Sequence, residues 1–237
     1  MELRQEAVAE KAPMRPLPGV ESIAFFGNNF ETPGEDASAQ VLCWPTTPAA
    51  WHVLTASWRA LRSPDVKRSP AVTASWVSQY APQISTVYND IAALETSVAS
   101  LITRASMGMA VAVSTSDRRA SPREMFVDCL LGYQEYLRKQ GRATWSAAVM
   151  DPSTNGQSIE DQFRVATHGI PFAKAPTLHF WEGAIDPIPL EIARVSSAAV
   201  ARYVSNRSAP NPIFDAVRSK LAILPIGLTT SLRGRRR

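Results

Sequence analysis

The sequence has few of the residues from which most metal and disulfide sites are built. Its 237 residues include two cysteines and three histidines. Cys43 and Cys129 are too few for a disulfide framework, and they stand in no CxxC pattern. The histidines, His52, His168 and His179, form no His/His or Cys/His pair at metal-ligand spacing. We therefore expect no metal site, and the scarcity of cysteine fits a reducing compartment.

Sequence motifs for nucleotide binding and nucleophilic catalysis are missing as well. The chain contains no GxGxxG, no GxxxxGKS and no GxSxG. Adjacent carboxylates such as Glu160 and Asp161 are typical of a helix N-terminus or a solvated turn, not of an acid/base pair. We expect a protein that is not an enzyme and that takes no cofactor and no small-molecule substrate. Catalytic groups that converge from distant positions would be the exception.

Long apolar runs are also absent. No run approaches the ~20 residues of a membrane-spanning helix, and the first residues, MELRQEAVAEKAPMRPLPG, lack the apolar core of a signal peptide. At 45% hydrophobic residues the chain can nevertheless bury a proper core. We expect a soluble intracellular protein with no membrane partner.

Lysine is scarce, and the positive charge is concentrated at one end. Twenty of the 25 basic residues are arginines, whose planar guanidinium group binds phosphate through two hydrogen bonds at once. From Arg202 onward eight basic residues face one acidic residue, Asp215, so the formal charge of +4 leaves the first 201 residues net negative. The chain ends in SLRGRRR. This end is expected to bind a polyanion.

Apolar spacing predicts a mainly α fold of about seven helices. The helices are predicted over 47–61, 70–80, 84–102, 121–140, 159–168, 190–205 and 212–223. The clearest boundary is a capping box of Ser121 and Glu124, with Gly141 where the helix ends. The stretch 107–114 is too short to assign by period, and TLHFW is the one plausible short strand. The predicted organisation is an extended N-terminal arm (1–45), a helical core domain (46–224) and a basic C-terminal tail (225–237).

Arginine clusters supply the candidate binding residues. Sequence-specific modules such as zinc fingers or RNP motifs are absent, so the predicted contact is with the phosphate backbone, without sequence preference. Cations at a helix end can instead complement the helix dipole, which is an alternative for Arg138, Lys139 and Arg62. The candidate RNA-binding residues are Arg59, Arg62, Lys67, Arg68, Arg118, Arg119, Arg123, Arg233, Arg235, Arg236 and Arg237.

The composition resembles that of a known viral family. Alanine, serine and proline make up about a third of the chain, the charge balance is basic, and the tail ends in GRRR. In these respects the sequence resembles the proline-alanine-serine-rich proteins of polymycoviruses, which coat a double-stranded RNA genome and form filaments in some members. The resemblance covers the whole chain but has no diagnostic motif. It implies a self-assembling, capsid-like nucleoprotein that binds RNA, double-stranded RNA above single-stranded, in the virion and the host cytoplasm.

Two other interpretations stay open. The helical coat proteins of flexible filamentous plant viruses are similar in size and coat single-stranded RNA. A protein of another class, a helical scaffold or adaptor with a basic docking tail, would bind acidic protein or anionic membrane instead. For the coat interpretation, we expect subunits to associate through the apolar stripe at 84–102, the face of Trp51 and Trp58, and the N-terminal arm.

Overall fold

A five-stranded mixed sheet forms the centre of the molecule. The computed structural model describes residues 22–29, 37–62, 70–82, 84, 90–140, 146–150, 156–172, 175–181 and 187–222. The strands lie in the order β3-β2-β1-β4-β5, in which β2 is antiparallel to both β1 and β3, and β4 is parallel to both β1 and β5. Their bounds are β1 Ser22–Asn29, β2 Ala37–Pro45, β3 Met107–Thr115, β4 Ser146–Met150 and β5 Thr177–Phe180. The fold is therefore α/β, and the prediction of a mainly α protein is wrong.

Eight helices accompany the sheet in the described part of the chain. They are α1 Pro48–Arg59, α2 Pro70–Thr73, α3 Trp76–Tyr80, α4 Ile91–Arg104, α5 Pro122–Lys139, α6 Gly156–His168, α7 Ile188–Ser205 and α8 Pro212–Arg218. The capping box at the start of α5 and the strand at TLHF are confirmed. The helix predicted over 70–80 is two helices, because Ser75 caps α3 with its side chain. The helix predicted from residue 84 begins at Ile91, where Asp90 accepts hydrogen bonds from two backbone N–H groups.

The prediction of an extended N-terminal arm is wrong for the residues that form β1 and β2. Both strands are buried on both sides, so their sequences, SIAFFGNN and ASAQVLCWP, lack the polar and apolar alternation of a half-exposed strand. Residues 1–21 and 30–36 of that arm lie outside the described residues.

Helices cover both faces of the sheet, which gives three layers. On one face Phe25, Val41 and Cys43 pack against a group of helices that includes α1, α4, α7 and α8. On the other face Phe26, Leu42 and Trp44 pack against α5 and α6. Successive residues of one strand point to opposite faces. The two cores are therefore separate, and the sheet divides them.

Helix α7 lies unusually close to the central strand β1. A side-chain carbon on Gly27 would overlap backbone atoms of Ala193 and Arg194. Further along the helix, the Ser197 hydroxyl donates a 2.7 Å hydrogen bond to the Ala39 carbonyl of β2. Glycine at position 27 therefore sets the distance between the sheet and α7.

A buried carboxylate ties α7 to the end of α1. Glu191 is 1% exposed, and its Oε2 accepts hydrogen bonds from the Trp58 indole N–H at 2.7 Å and from the Arg62 Nε and Nη2 at 2.9 and 2.6 Å. A buried carboxylate is tolerated only when it is paired and hydrogen-bonded. Arg62 and Trp58 together meet that requirement.

We expect Gly27→Ala to destabilise the fold by about 1–3 kcal/mol, because the added methyl group forces α7 away from β1. Gly169→Ala is the matched control, since a carbon added there meets nothing closer than the Ala166 carbonyl oxygen at 3.6 Å. Urea unfolding of the two variants measures the difference. Equal midpoints would contradict the close packing of α7 on β1.

We expect Glu191→Ala to lower the free energy of unfolding by about 3–5 kcal/mol, because it removes the buried carboxylate that accepts hydrogen bonds from Trp58 and Arg62. A carboxylate on a helix surface provides the control: Glu135 pairs with Arg138, which is largely exposed, and Glu135→Ala should change stability little. Chemical denaturation followed by tryptophan fluorescence and circular dichroism measures both. Similar losses in the two variants would show that the buried pair does not anchor α7.

Candidate nucleic-acid interface

Three arginines that the sequence places in one cluster lie together at the turn between β3 and α5. We call Arg118, Arg119 and Arg123 the basic turn, and all three residues are exposed. Hydrogen bonds between Thr115 and Arg118 close the turn, with the backbone N–H of each donating to the carbonyl of the other at 3.0 and 3.2 Å. The Ala120 N–H donates to the Ser114 hydroxyl at 3.0 Å. The backbone that carries these arginines is therefore held firmly to the end of β3.

The capping box of α5 fixes the other side of the basic turn. The Ser121 backbone N–H and hydroxyl donate to the Glu124 carboxylate at 2.7 and 2.8 Å, and the Glu124 N–H donates to the Ser121 hydroxyl at 3.3 Å. These hydrogen bonds from Ser121, together with the positive charges of Arg118 and Arg123, lower the pKa of Glu124. Glu124 therefore carries its negative charge at neutral pH.

Carboxylates accompany the arginines of the basic turn. Asp117 and Glu124 lie in the same stretch of chain, and Asp128 is near enough to interact electrostatically with Arg118. Desolvation raises the pKa of Asp128, and the Arg118 charge opposes that shift. The turn is therefore not a region of large net charge, and its capacity to bind phosphate depends on the guanidinium groups themselves.

Ion pairing separates those guanidinium groups from three other arginines of the helices. Arg138, Arg164 and Arg218 pair within one turn of their own helices, with Glu135, Asp161 and Asp215 at 2.7, 2.8 and 3.1 Å. Within the described ranges, no carboxylate lies within ion-pair distance of Arg118, Arg119 or Arg123. Their hydrogen-bond donors are available to a ligand from solution.

Arg62 is a correction to the predicted set of RNA-binding residues. Its side chain is 14% exposed and is bound to Glu191, so it serves the core and not a phosphate. Arg59 is exposed at the end of α1, but α1 packs on the α7 side of the sheet, whereas α5 covers the other side. The structure does not bring Arg59 to the basic turn. The other predicted residues, Lys67, Arg68, Arg233, Arg235, Arg236 and Arg237, lie outside the described residues.

The helix faces predicted as subunit interfaces are occupied within the chain itself. Leu94, Val98 and Ile102 of the predicted stripe are buried in the core beside α8. Trp58 is buried and donates to Glu191. These four residues of the predicted oligomer surfaces are therefore core residues, whereas Leu101 of the same stripe is partly exposed. Nothing is described for the Trp51 side chain.

The structure also reveals a buried polar pair that the sequence pattern did not predict. Gln40 of β2 is fully buried, and its Nε2 donates to the Asn28 Oδ1 at 3.1 Å. Its own Oε1 has no hydrogen-bond partner among the described residues. The sequence feature that could have indicated this pair is the single polar residue inside each of two apolar strand sequences.

Among the residues that the structure describes, no three His, Cys, Asp or Glu side chains are grouped so that they could hold a metal ion. No helix in the same residues is long and apolar enough to span a membrane.

Comparisons with known proteins identify no relative that informs the function of the basic turn. No family model and no curated protein matches the sequence. Among solved structures, the chain is similar to one in the structure of the PCNA:RNase HII complex from Archaeoglobus fulgidus, with 9% sequence identity and a TM-score of 0.34. That similarity covers 90% of this chain and 85% of the other. A score of this size does not establish a shared fold, so nothing about function is taken from it.

Proposed function

We propose that this protein is a viral coat protein that associates with itself and binds the backbone of RNA without sequence preference. The observation that carries the proposal is the set of exposed arginines in the basic turn. Arg138, Arg164 and Arg218 already use their guanidinium groups in ion pairs with carboxylates of their own helices. Arg118, Arg119 and Arg123 make no such pair within the described ranges.

The position of the basic turn suits a phosphate. Arg123 lies in the first turn of α5, where the positive end of the helix dipole favours an anion and disfavours a cation. This position is unfavourable for the Arg123 cation in the free protein, and a bound phosphate would pair with Arg123 and with the neighbouring Arg118 and Arg119. The contact would be with the backbone, because the exposed groups are guanidinium forks and, in the described part of the fold, no base-reading helix or aromatic platform accompanies them.

The C-terminal arginines add to the same function. Arg233, Arg235, Arg236 and Arg237 have no acidic residue near them in sequence. In contrast to the basic turn, the tail therefore has a high net charge, and we expect it to supply most of the long-range attraction to RNA. The basic turn would then supply positioned contacts on a rigid part of the fold.

Self-association is the second half of the proposal. Val53, Leu131 and Val165 are large apolar side chains that lie 39–70% exposed on α1, α5 and α6. Val53 lies at the rim of a cleft of about 270 Å³ that Leu54, Leu101 and Arg104 also line. We propose that subunits meet through such helix surfaces on the outside of the sheet layers, because Trp58 and the stripe residues Leu94, Val98 and Ile102 are buried within the chain.

We expect a variant with Arg118, Arg119 and Arg123 changed to Gln to bind RNA more weakly and with a smaller dependence on salt. On a duplex, each lost phosphate contact should lower the slope of log K against log salt by roughly 0.9. The matched control changes three arginines that already have partners, Arg138, Arg164 and Arg218, to Gln. It removes the same charge and should leave the slope closer to that of the unchanged protein. Fluorescence anisotropy with unrelated RNA sequences across a salt series measures both.

The outcomes of this experiment separate the interpretations. If both triple variants lose the same amount of RNA affinity and of salt slope, overall charge, and not the basic turn, governs binding. Comparing the affinity for single-stranded RNA with the affinity for double-stranded RNA shows which form the protein prefers. We expect tighter binding of double-stranded RNA. If the unchanged protein binds neither RNA at low salt, the coat proposal fails and a scaffold or adaptor becomes the better account.

A further inference from the structure

An open cleft of about 270 Å³ lies between the start of α1 and the end of α4. Val53 and Leu54 line its α1 side, and Leu101 lines its α4 side. Leu54 is buried, Leu101 is half-buried and Val53 is 70% exposed, so the apolar wall reaches the solvent. The Thr46 N–H donates to the Ser106 carbonyl at 3.0 Å, which ties the chain before α1 to the chain after α4. The cleft is therefore formed in the single chain.

A cation also lines this cleft. Arg104 lies in the last turn of α4 and is exposed. Its Nε donates to the Ser100 carbonyl of the same helix at 3.3 Å. Within the described ranges no carboxylate lies within ion-pair distance of Arg104, so its Nη groups are available to an anionic group. The cleft therefore favours an occupant that has an apolar side chain with a carboxylate beside it.

The outer face of α5 carries that combination. Leu131 is 41% exposed, and Asp128, one helical turn before it, is exposed as well. Residues three apart in a helix are neighbours on its surface. Arg118 is near enough to Asp128 to interact with it electrostatically, but no cation in the described residues lies within ion-pair distance of this carboxylate. Helix α5 thus presents an apolar side chain and an available carboxylate together.

The exposed apolar residue of α6 fits the cleft less well. Val165 is 39% exposed, and Asp161 lies one turn before it. The Asp161 carboxylate already pairs with Arg164 at 2.8 Å. An arginine from another molecule would have to replace that partner, so α5 is the better match.

We infer that the cleft of one copy of the chain receives the outer face of α5 from a second copy. Leu131 would enter the apolar cleft, and Asp128 would pair with Arg104. The match of an unpaired cation with an unpaired carboxylate identifies a second copy as the occupant. This inference rests on the self-association in the proposed function, and it names the two surfaces that meet.

The two surfaces lie on opposite sides of the molecule, which decides the kind of assembly. Helices α1 and α4 pack on the α7 side of the sheet, and α5 covers the other side. A copy that fills its cleft therefore still offers its own α5 face to the next copy. Such head-to-tail contacts form a ring if the rotation closes and an open filament if it does not. Either product repeats one contact, as a coat along RNA requires.

A single contact of this kind is expected to be weak. One side chain in one cleft buries far less than the ~800 Å² that each partner buries in a stable interface. We therefore expect association that increases with protein concentration, and RNA should strengthen it by holding several copies close together.

The first test is sedimentation velocity of the full-length chain without RNA, over a series of concentrations. Leu131→Gln and Val53→Gln each remove an apolar group from the contact, and each should weaken association at least roughly tenfold. Val165→Gln is the matched control, because it changes an exposed apolar residue outside both surfaces and should leave association unchanged. Circular dichroism checks that all three variants are folded.

Charge reversal tests the pairing of Arg104 with Asp128. Arg104→Glu and Asp128→Arg each place like charges at the contact, so each variant alone should stay monomeric at concentrations where the unchanged protein associates. An equimolar mixture should associate again, because the cleft of each variant then meets the opposite charge on α5 of the other. A two-fold contact between two α5 helices would not depend on Arg104.

Different results overturn different parts of the account. If association persists in Leu131→Gln and Val53→Gln, or if the mixture of charge variants stays monomeric, the inferred contact is wrong, and any association that persists uses other surfaces. An unchanged protein that is monomeric at every concentration, with and without RNA, contradicts both the contact and the proposed self-association. A protein that associates as inferred but binds no RNA keeps the contact and loses the coat function.

Discussion

The packing of α7 against β1 and β2 is the constraint on which the rest of the structure depends. Gly27 lets the helix backbone approach the central strand. Glu191 on the same helix accepts hydrogen bonds from Trp58 of α1 and from Arg62, which lies just after α1. The helix then holds one face of the sheet closed, and α5 closes the other. A sheet covered on both faces needs apolar residues on both sides of each central strand. The compositions of β1 and β2 follow from this arrangement.

The same double burial explains which parts of the fold could be predicted. Helices with one exposed side, such as α5 and α8, show their period and their caps in the sequence, and the Ser121–Glu124 capping box is recognisable from its residue types and spacing alone. The central strands carry no alternation, and prolines nearby made residues 1–45 resemble an extended arm. Strand β4 is short and follows no strong turn motif, so nothing in SAAVM distinguishes it from a loop or a helix.

The candidate site was predictable in part. The basic turn follows from sequence because its arginines are adjacent and precede a strong helix start. The burial of Arg62 does not follow, because its partner Glu191 is distant in sequence and only the packing of α7 brings the two side chains together. The sequence also could not show that the apolar stripe of α4 packs inside its own chain, since a core face and an oligomer face have the same spacing. Contacts between residues distant in sequence therefore decide which charged and apolar side chains stay exposed for binding.

The chemistry of the basic turn favours an assembly over a single tight binder. Three arginines with carboxylates beside them can hold a phosphate, but they offer only a few contacts to each RNA, and salt weakens each of them. A coat protein does not need strong binding by one copy. When neighbouring copies associate on the same strand, each bound subunit raises the effective concentration of the next, so that weak contacts add to a strong total. In the coat protein that we propose, the exposed apolar residues on α1, α5 and α6 would supply the subunit contacts, and the arginines of the basic turn would supply the contacts with RNA.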